Sequence, residues 1–445
     1  MRTWIKDPAA TWTGSELSAP NGIVFEDQTI IELVDGEPLS DYELVHEAGN
    51  CVLLPGLINC HHHFYQTLTR ALPVALNKEL FDWLTALYPV WAKLSEDAIQ
   101  ASTRAALSEL LLSGCTTSSD HHYVFPQTCE KAIDIQAEVA KECGIRTILT
   151  RGSMSLGRSR GGLPPDEVVQ DSDTILKESE RLINKLHDPK AGSMLQIAVA
   201  PCSPFSVTAE LMRDSARLAR EKGVLLHTHL AETKDENDFC LEKFGKRPID
   251  YLEEVEWLND DVWLAHGIHF TNEEINRLGR AKISISHCPS SNMILASGVC
   301  PVNELVANGC SVGLGVDGSA SNDGSNLMQE VRQTFLMQRL KYGSANFSHE
   351  DALRLATSGG ASVLHRNDIG QIRPGLQADL ALFNLNELRF SGAGDPIAAL
   401  VLCGAHHADA VIVNGEWRVK HGELVDIDIK EVIFEQRQAA KTLIS

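Results

Sequence analysis

The chain has 445 residues, 43% hydrophobic and 22% charged, an ordinary globular composition long enough for a large barrel with an appended domain. Its 39 basic against 60 acidic side chains leave a formal charge of −21, which repels phosphate backbones and anionic lipid. Nucleic-acid polymers and membrane surfaces are thus poor partners, whereas free bases stay open. The start, Met1 to Pro8, lacks a signal-peptide core, and no apolar run reaches bilayer length. The 11 cysteines are scattered without a Cys-x-x-Cys, so reduced thiols and a cytoplasmic location are expected.

In chain order, residues from about 20 to 54 read as short strands with turns: Gly22–Phe25, Thr29–Leu33 and Cys51–Leu54. The apolar run Val52–Asn59 predicts a buried strand, and it leads into Cys60-His61-His62-His63. In an extended segment His61 and His63 share one face, which makes half of a metal site; His62 points the other way, into packing or hydrogen bonding.

Alternation follows. Strands are predicted at Cys115–Ser119, Arg146–Thr150, Leu195–Ala200, Val224–His229, Val262–Ala265, Lys282–Ser286 and Ser311–Val316. Helices are predicted at Ala98–Leu112, Ala132–Glu142, Asp171–Leu186, Ala209–Glu221, Gly245–Glu256, Glu273–Leu278, Val302–Ala307 and Asn326–Lys341. Counting Val52–Asn59, this is an α/β pattern of eight strands, each followed by a helix-sized segment. It matches a (β/α)8 TIM-like barrel. A doubly wound sheet is the rival, but no Gly-x-Gly-x-x-Gly turn follows the first strand. Strand texture returns at Asp379–Phe383 and Ala410–Val413, where Asn414-Gly415 turns the chain into Trp417–Val419. The expected organisation is a small β-sandwich from both termini, residues 1–54 with 375–445, around a barrel of residues 55–374.

Catalytic groups of such barrels sit at the carboxyl ends of the strands. Those ends read His61/His63, Asp120/His121, Arg151, Cys202, His229, His266, His287 and Asp317. In His227-Thr228-His229-Leu230-Ala231-Glu232 either histidine has ligand spacing; His227, deeper in the strand, is better read as a core residue. A ligand next to Glu232 suits metal-activated water attacking a substrate that must also be protonated. His266 before Gly267 and Asp317 before Gly318 complete the set. Three histidines and a carboxylate suit Zn²⁺ with room for water, and donor softness also admits Fe²⁺ or Mn²⁺. No lysine lies within Leu195–Phe205, against a lysine-bridged pair of metals.

The ordered motifs Pro55-Gly56-Leu57-Ile58-Asn59-Cys60-His61-x-His63, His229-x-x-Glu232, Ala265-His266-Gly267 and Asp317-Gly318 resemble the amidohydrolase superfamily, as does Ile369-Gly370-x-Ile372-x-Pro374-Gly375-x-x-Ala378-Asp379-Leu380. The resemblance implies one metal, usually zinc, on His61, His63, His229 and Asp317. It implies a proton shuttle at Glu232, a water- or oxyanion-polarising His266, and an Asp317 that carries the water's proton to the leaving group. Within the superfamily, His63-Phe64-Tyr65-Gln66-x-Leu68-Thr69-Arg70, Phe81-x-Trp83-Leu84 and Ser113–His121 resemble the 8-oxoguanine deaminases and the hydroxyatrazine aminohydrolase or chlorohydrolase group. That implies hydrolytic deamination of an aromatic nitrogen heterocycle, 8-oxoguanine to urate with ammonia release, by a homo-oligomer. Ala200-Pro201-Cys202 departs from guanine deaminases, which carry Arg after Pro. Gln66 suits a carbonyl/N–H edge of the base and Trp83 an apolar wall; Cys202 and His121 are further candidates for substrate contact. Alternatives are guanine or isocytosine as substrate, chloride or alkylamine displacement from an s-triazine, and a catalytically dead scaffold.

Overall fold

The computed structural model describes residues 1–15 and 19–445. Eight parallel strands close into a barrel in chain order: Leu57–Asn59, Cys115–His122, Arg146–Ser153, Leu195–Pro201, Leu226–Leu230, Val262–His266, Ser284–His287 and Ser311–Leu314. The ring closes where Leu314 pairs with Asn59. Nearly every strand residue is buried, because helices cover the outside and side chains fill the inside. Several helices begin on side-chain caps: Ser95, Asp171, Thr208, Thr233 and Thr271 each accept a first-turn N–H. Gly144 and Gly223 close two of them in the left-handed conformation.

Two predicted elements divide. The Val52–Asn59 run is two strands: Cys51–Pro55 pairs antiparallel with Leu380–Asn384 outside the barrel, and Leu57–Asn59 opens the barrel. The break is Gly56, where the Thr116 side chain occupies the space a Cβ would need. The predicted helix Gly245–Glu256 is also two pieces. Gly245, at φ +66°, ends the helix Lys234–Phe244, and Pro248 starts Pro248–Glu254.

The terminal strands form two further sheets. One orders Thr29–Val34, Gly22–Glu26, Arg2–Lys6 and Leu44–Glu47; the other orders Ala10–Thr11, Cys51–Pro55, Leu380–Asn384, Ala410–Val413, Glu416–Lys420 and Glu423–Leu424. Ile5, Ile23, Phe25 and Ile30 of the first pack against Leu53, Leu380, Leu382 and Ile412 of the second, a sandwich core drawn from both ends of the chain. A buried ion pair ties sandwich to barrel: Arg146, at the start of the third barrel strand, donates Nε and Nη2 to the two oxygens of Asp379 at 3.1 Å each. The last helix, Ile429–Ile444, returns to the barrel, where Arg104 holds Glu435 at 2.7 Å and Gln436 donates to Thr67 Oγ1.

Candidate active site

The first two histidines stand just past the opening strand. Asn59 fixes the exit: its Nδ2 donates to Ser118 Oγ at 3.0 Å and its Oδ1 accepts from Val316 N at 2.9 Å. Beyond the eighth strand, Asp317-Gly318 pairs in parallel with His62-His63, and Asp317 N donates to the carbonyl of His61. Chain segments more than 250 residues apart thereby bring Asp317 against His61 and His63.

The rings of His61, His63 and His229 are each oriented through Nδ1. His63 Nδ1 donates to the carbonyl of His121 at 2.6 Å, and His229 Nδ1 to that of Cys202 at 2.7 Å. His61 Nδ1 meets His227 Nε2 at 2.8 Å; His227 Nδ1 is committed to the carbonyl of Trp263 at 2.9 Å, so its Nε2 is the acceptor. These partners assign the tautomers and leave three bare Nε2 atoms aimed at one point. His63 Nε2 lies 3.1 Å from His229 Nε2, and Asp317 Oδ1 lies 3.2 Å from His61 Nε2 and 3.3 Å from His63 Nε2. Facing lone pairs at that distance repel unless a cation joins them. Tetrahedral bonds of about 2.0–2.1 Å put donor atoms about 3.3–3.4 Å apart, close to what is seen. Among the described residues His61 Nε2 is buried with no hydrogen-bond partner. Burial pushes His229 down to about 3, aided by His63 and His266, so the ring is the neutral donor a metal needs. Among the described residues, donor atoms of His61, His121 and His229, and of His61, His266 and Asp317, also lie within 4.8 Å of one another, so the cluster can hold a divalent cation.

Beside this cluster are three ionisable groups. Glu232 follows Ala231, whose φ is +55°, and its Oε2 lies 3.5 Å from His266 Nε2. Burial raises its carboxyl to about 7, with Asp317 adding and His266 opposing, so it can hold or release a proton near neutrality. His266, at φ +72°, donates Nδ1 to Asn292 Oδ1 at 3.0 Å and turns Nε2 toward Glu232 and, at 3.9 Å, Asp317 Oδ2. Burial works against its charged form, but the two carboxylates raise it. Asp317, at φ +64°, accepts from Gly318 N on Oδ1 and from Ser321 Oγ on Oδ2. Burial would raise it, yet the facing His61 imidazole, with His266 and His63, holds it well below the usual carboxylate range. Ala231, His266 and Asp317 thus all carry left-handed backbone, rare for side-chain-bearing residues and concentrated at functional sites.

A small cavity opens above these groups. His63, His229, Glu232, His266 and Asp317 line its floor; Leu80, Trp83, Leu84 and Tyr88, from the helix Leu80–Trp91, form one wall, with Phe205 and Leu295 elsewhere. Gln66, Trp83 and Cys202 face it, as the sequence suggested. Gln66 Oε1 has no hydrogen-bond partner among the described residues, and its carboxamide lies where a Cβ on Gly318 would fall. Trp83 is anchored by Nε1 donating to the carbonyl of Ala320 at 3.1 Å. Burial pushes the Cys202 thiol up to about 12, leaving it a neutral wall group.

His121 does not line the cavity, contrary to its reading as a substrate contact. Its ring is stacked behind His229 with centroids 4.8 Å apart, and its Nε2 bonds the carbonyl of Ala200; what it gives the site is its own carbonyl, to His63. Three other strand-end candidates face elsewhere: Asp120 accepts from Phe64 N and Gln136 Nε2, Arg151 packs on Phe125 and bonds Gln170, and His287 meets Gln338. His62 bonds Ser325 Oγ at 2.9 Å, and His227 is stacked on Trp263, both outside the cavity. Tyr88, Ser321 and Asn292 escaped the sequence reading. Tyr88 OH is buried and without a partner among the described residues although it lines the cavity. A Leu80, Leu84, Tyr88 spacing could have flagged that face, but Pro89 obscured the helix.

The amidohydrolase family model matches residues 52–418. The chain is 56% identical to an 8-oxoguanine deaminase of Pseudomonas aeruginosa (strain PAO1), over 100% of this chain and 99% of that protein. It is 37% identical to a hydroxydechloroatrazine ethylaminohydrolase of Pseudomonas sp. (strain ADP), over 87% and 82%. Among solved structures it is similar to an atrazine chlorohydrolase from Arthrobacter aurescens TC1 complexed with zinc, at 31% identity and a TM-score of 0.94, covering 98% and 100% of the two chains. With its closed barrel and convergent His-His-His-Asp donors, the chain belongs to the amidohydrolase family.

Proposed function

We propose that this chain is a zinc-dependent hydrolytic deaminase of amino-purines, converting 8-oxoguanine to urate with release of ammonia. The observation that carries the reading is the buried Glu232 carboxyl, raised to about 7 and standing 3.5 Å from His266 Nε2 in a cavity also lined by His63, His229 and Asp317. The full-length likeness to an 8-oxoguanine deaminase supports the substrate.

His61, His63, His229 and Asp317 would hold one Zn²⁺; Fe²⁺ suits the same donors. When bound, such a cation lowers the pKa of water to about 7 and so supplies hydroxide at neutral pH. Glu232 takes the first proton of that water and passes it to a ring nitrogen, which makes the amidine carbon electrophilic. Oxygen adds to that carbon, and His266 Nε2–H steadies the negative charge that develops. Asp317 Oδ2 takes the remaining proton and delivers it to the amino group, the carbon–nitrogen bond breaks, and ammonia leaves as the carbonyl forms. Gln66 and Tyr88, with unpartnered polar atoms, read the carbonyl and N–H edges of the base; Trp83, Leu84 and Phe205 enclose its faces. Displacement of alkylamine or chloride from an s-triazine is the second reading, favoured by the likeness to the chlorohydrolase structure.

Ten of the 11 cysteines are buried free thiols, which supports a cytoplasmic home; among the described residues no helix is long and apolar enough to cross a membrane. Homo-oligomerisation is part of the proposal. The deciding experiment is product release over 8-oxoguanine, guanine, isocytosine and chloro- or alkylamino-triazines. The expected result is one ammonia per urate, with kcat/KM for 8-oxoguanine at least about tenfold above the rest. Faster chloride or alkylamine release from a triazine would transfer the assignment to the second reading.

A further inference from the structure

Glu236 is a fully buried carboxylate with no part in the chemistry above, and no salt bridge among the described residues involves it. It is the third residue of the helix Lys234–Phe244, whose N-cap is Thr233. In an ordinary capping box, a Glu at this position reaches back to the N–H of the N-cap itself. Glu236 reaches further. Its Oε1 accepts from Ala231 N at 2.9 Å and its Oε2 from Glu232 N at 2.9 Å, while Thr233 Oγ1 accepts from Glu236 N. Both carboxylate oxygens are therefore spent on the two residues that end in the acid of the active site.

The same turn is held from its other side. The carbonyl of Ala231 accepts from Ile268 N and His269 N, both at 2.9 Å, in the loop just after His266. Ala231 itself is left-handed, a conformation that an alanine does not keep unaided. Released from Glu236, the two amides would be buried without acceptors, and the turn would relax toward ordinary backbone. Such a movement carries the Glu232 carboxyl away from His266 Nε2, from which it now stands 3.5 Å.

We propose that Glu236 is a positioning residue for proton transfer: it clamps the strained Ala231-Glu232 turn and thereby sets where the Glu232 carboxyl stands. The proposal rests on Glu232 being the proton shuttle, a premise tested on its own by Glu232→Gln.

The test compares Glu236→Ala and Glu236→Gln in the full zinc-loaded chain, with 8-oxoguanine as substrate. Glu236→Ala loses both acceptors. Its kcat falls by about 100-fold, the scale of a misplaced catalytic group, while KM changes little and zinc stoichiometry stays at that of the parent. Amide hydrogen exchange in the peptide holding Ala231 and Glu232 speeds up, and the pH profile of kcat shifts because the shuttle no longer sits in its own surroundings. Glu236→Gln keeps one acceptor oxygen and recovers part of the rate. In a Glu232→Gln background, removing Glu236 costs little more, since two changes that act through one group do not add. A Glu236→Ala enzyme with near-parental kcat and an unchanged pH profile overturns the proposal. So does a full multiplicative loss in the double variant, which marks a purely structural role. Should Glu236→Ala fail to fold, Glu236→Gln and its double with Glu232→Gln decide by the same comparisons. If Glu232→Gln is itself fully active, the shuttle reading falls, and the clamp with it.

Discussion

Replacing His227 by phenylalanine isolates His61, the one proposed ligand whose orientation depends on another side chain. Phenylalanine keeps the aromatic stack on Trp263, where the centroids are 4.3 Å apart and the planes 13° from parallel, but offers no nitrogen. Two buried groups then lose partners: His61 Nδ1–H, now donating at 2.8 Å, and the carbonyl of Trp263, now accepting at 2.9 Å. At about 1–3 kcal/mol for each unsatisfied buried group, the fold loses roughly 2–6 kcal/mol. The metal loses more selectively. With Nδ1 no longer held as the donor, His61 can protonate Nε2 instead, and removing such an outer partner typically lowers metal affinity 10–100-fold, about 1.4–2.8 kcal/mol. Competition against a chromophoric zinc chelator reads the affinity, and melting of the metal-free and zinc-loaded forms reads the fold separately. The variant should melt earlier in both forms, and zinc should raise its melting point less than it raises that of the parent. Zinc affinity within twofold of the parent would refute the idea that His227 sets the donor atom of His61.

Asp317→Asn keeps the shape of the ligand but removes its charge and its base; turnover should fall by at least about 10³-fold, even where excess zinc restores occupancy, as read by metal analysis beside ammonia release. Tyr88→Phe removes only a hydroxyl that has no partner among the described residues; the melting point should hold while kcat/KM for 8-oxoguanine drops about 10-fold, and an unchanged kcat/KM would remove Tyr88 from substrate recognition. Glu330 is fully buried, accepts from Ser290 N at 3.0 Å, and is raised by burial to about 8. Because the folded state binds this proton more tightly than the unfolded chain does, its contribution is intact below about pH 4.5 and is lost as pH rises toward 8. Glu330→Gln should therefore melt progressively higher than the parent across that window and level off above it; a constant difference would show that Glu330 does not titrate there.

The gathering of these side chains in one place was legible where it rests on the strand repeat. His61, His63, His229, Glu232, His266 and Asp317 could be named because each sits at or just past the end of an apolar run, and the barrel forces such ends together. What the sequence hid depends on the path of the backbone. The carbonyls of His121 and Cys202 that orient two ligands have no residue signature, since any residue carries a carbonyl. His121 looked like a substrate contact because its strand position was right, but its ring stacks behind His229. The helix Leu80–Trp91, which supplies one cavity wall, carries Pro89, and the helix Lys234–Phe244 is too polar to show an amphipathic stripe, so neither was anticipated. Glu236 belongs to that second helix, and its reach past the N-cap is a matter of three-dimensional fit.

That His63 and His229 are aimed by main-chain carbonyls has an evolutionary side. A side-chain partner can be lost by one codon change; a carbonyl survives every substitution at its position. Cys202 is the telling case, because its carbonyl holds His229 while its side chain faces the substrate cavity. Position 202 can therefore drift through different side chains, and with them different substrates, without disturbing the donor atom of the metal ligand beside it. Selection for a new heterocycle can act on the walls of this cavity while the reactive floor is inherited intact.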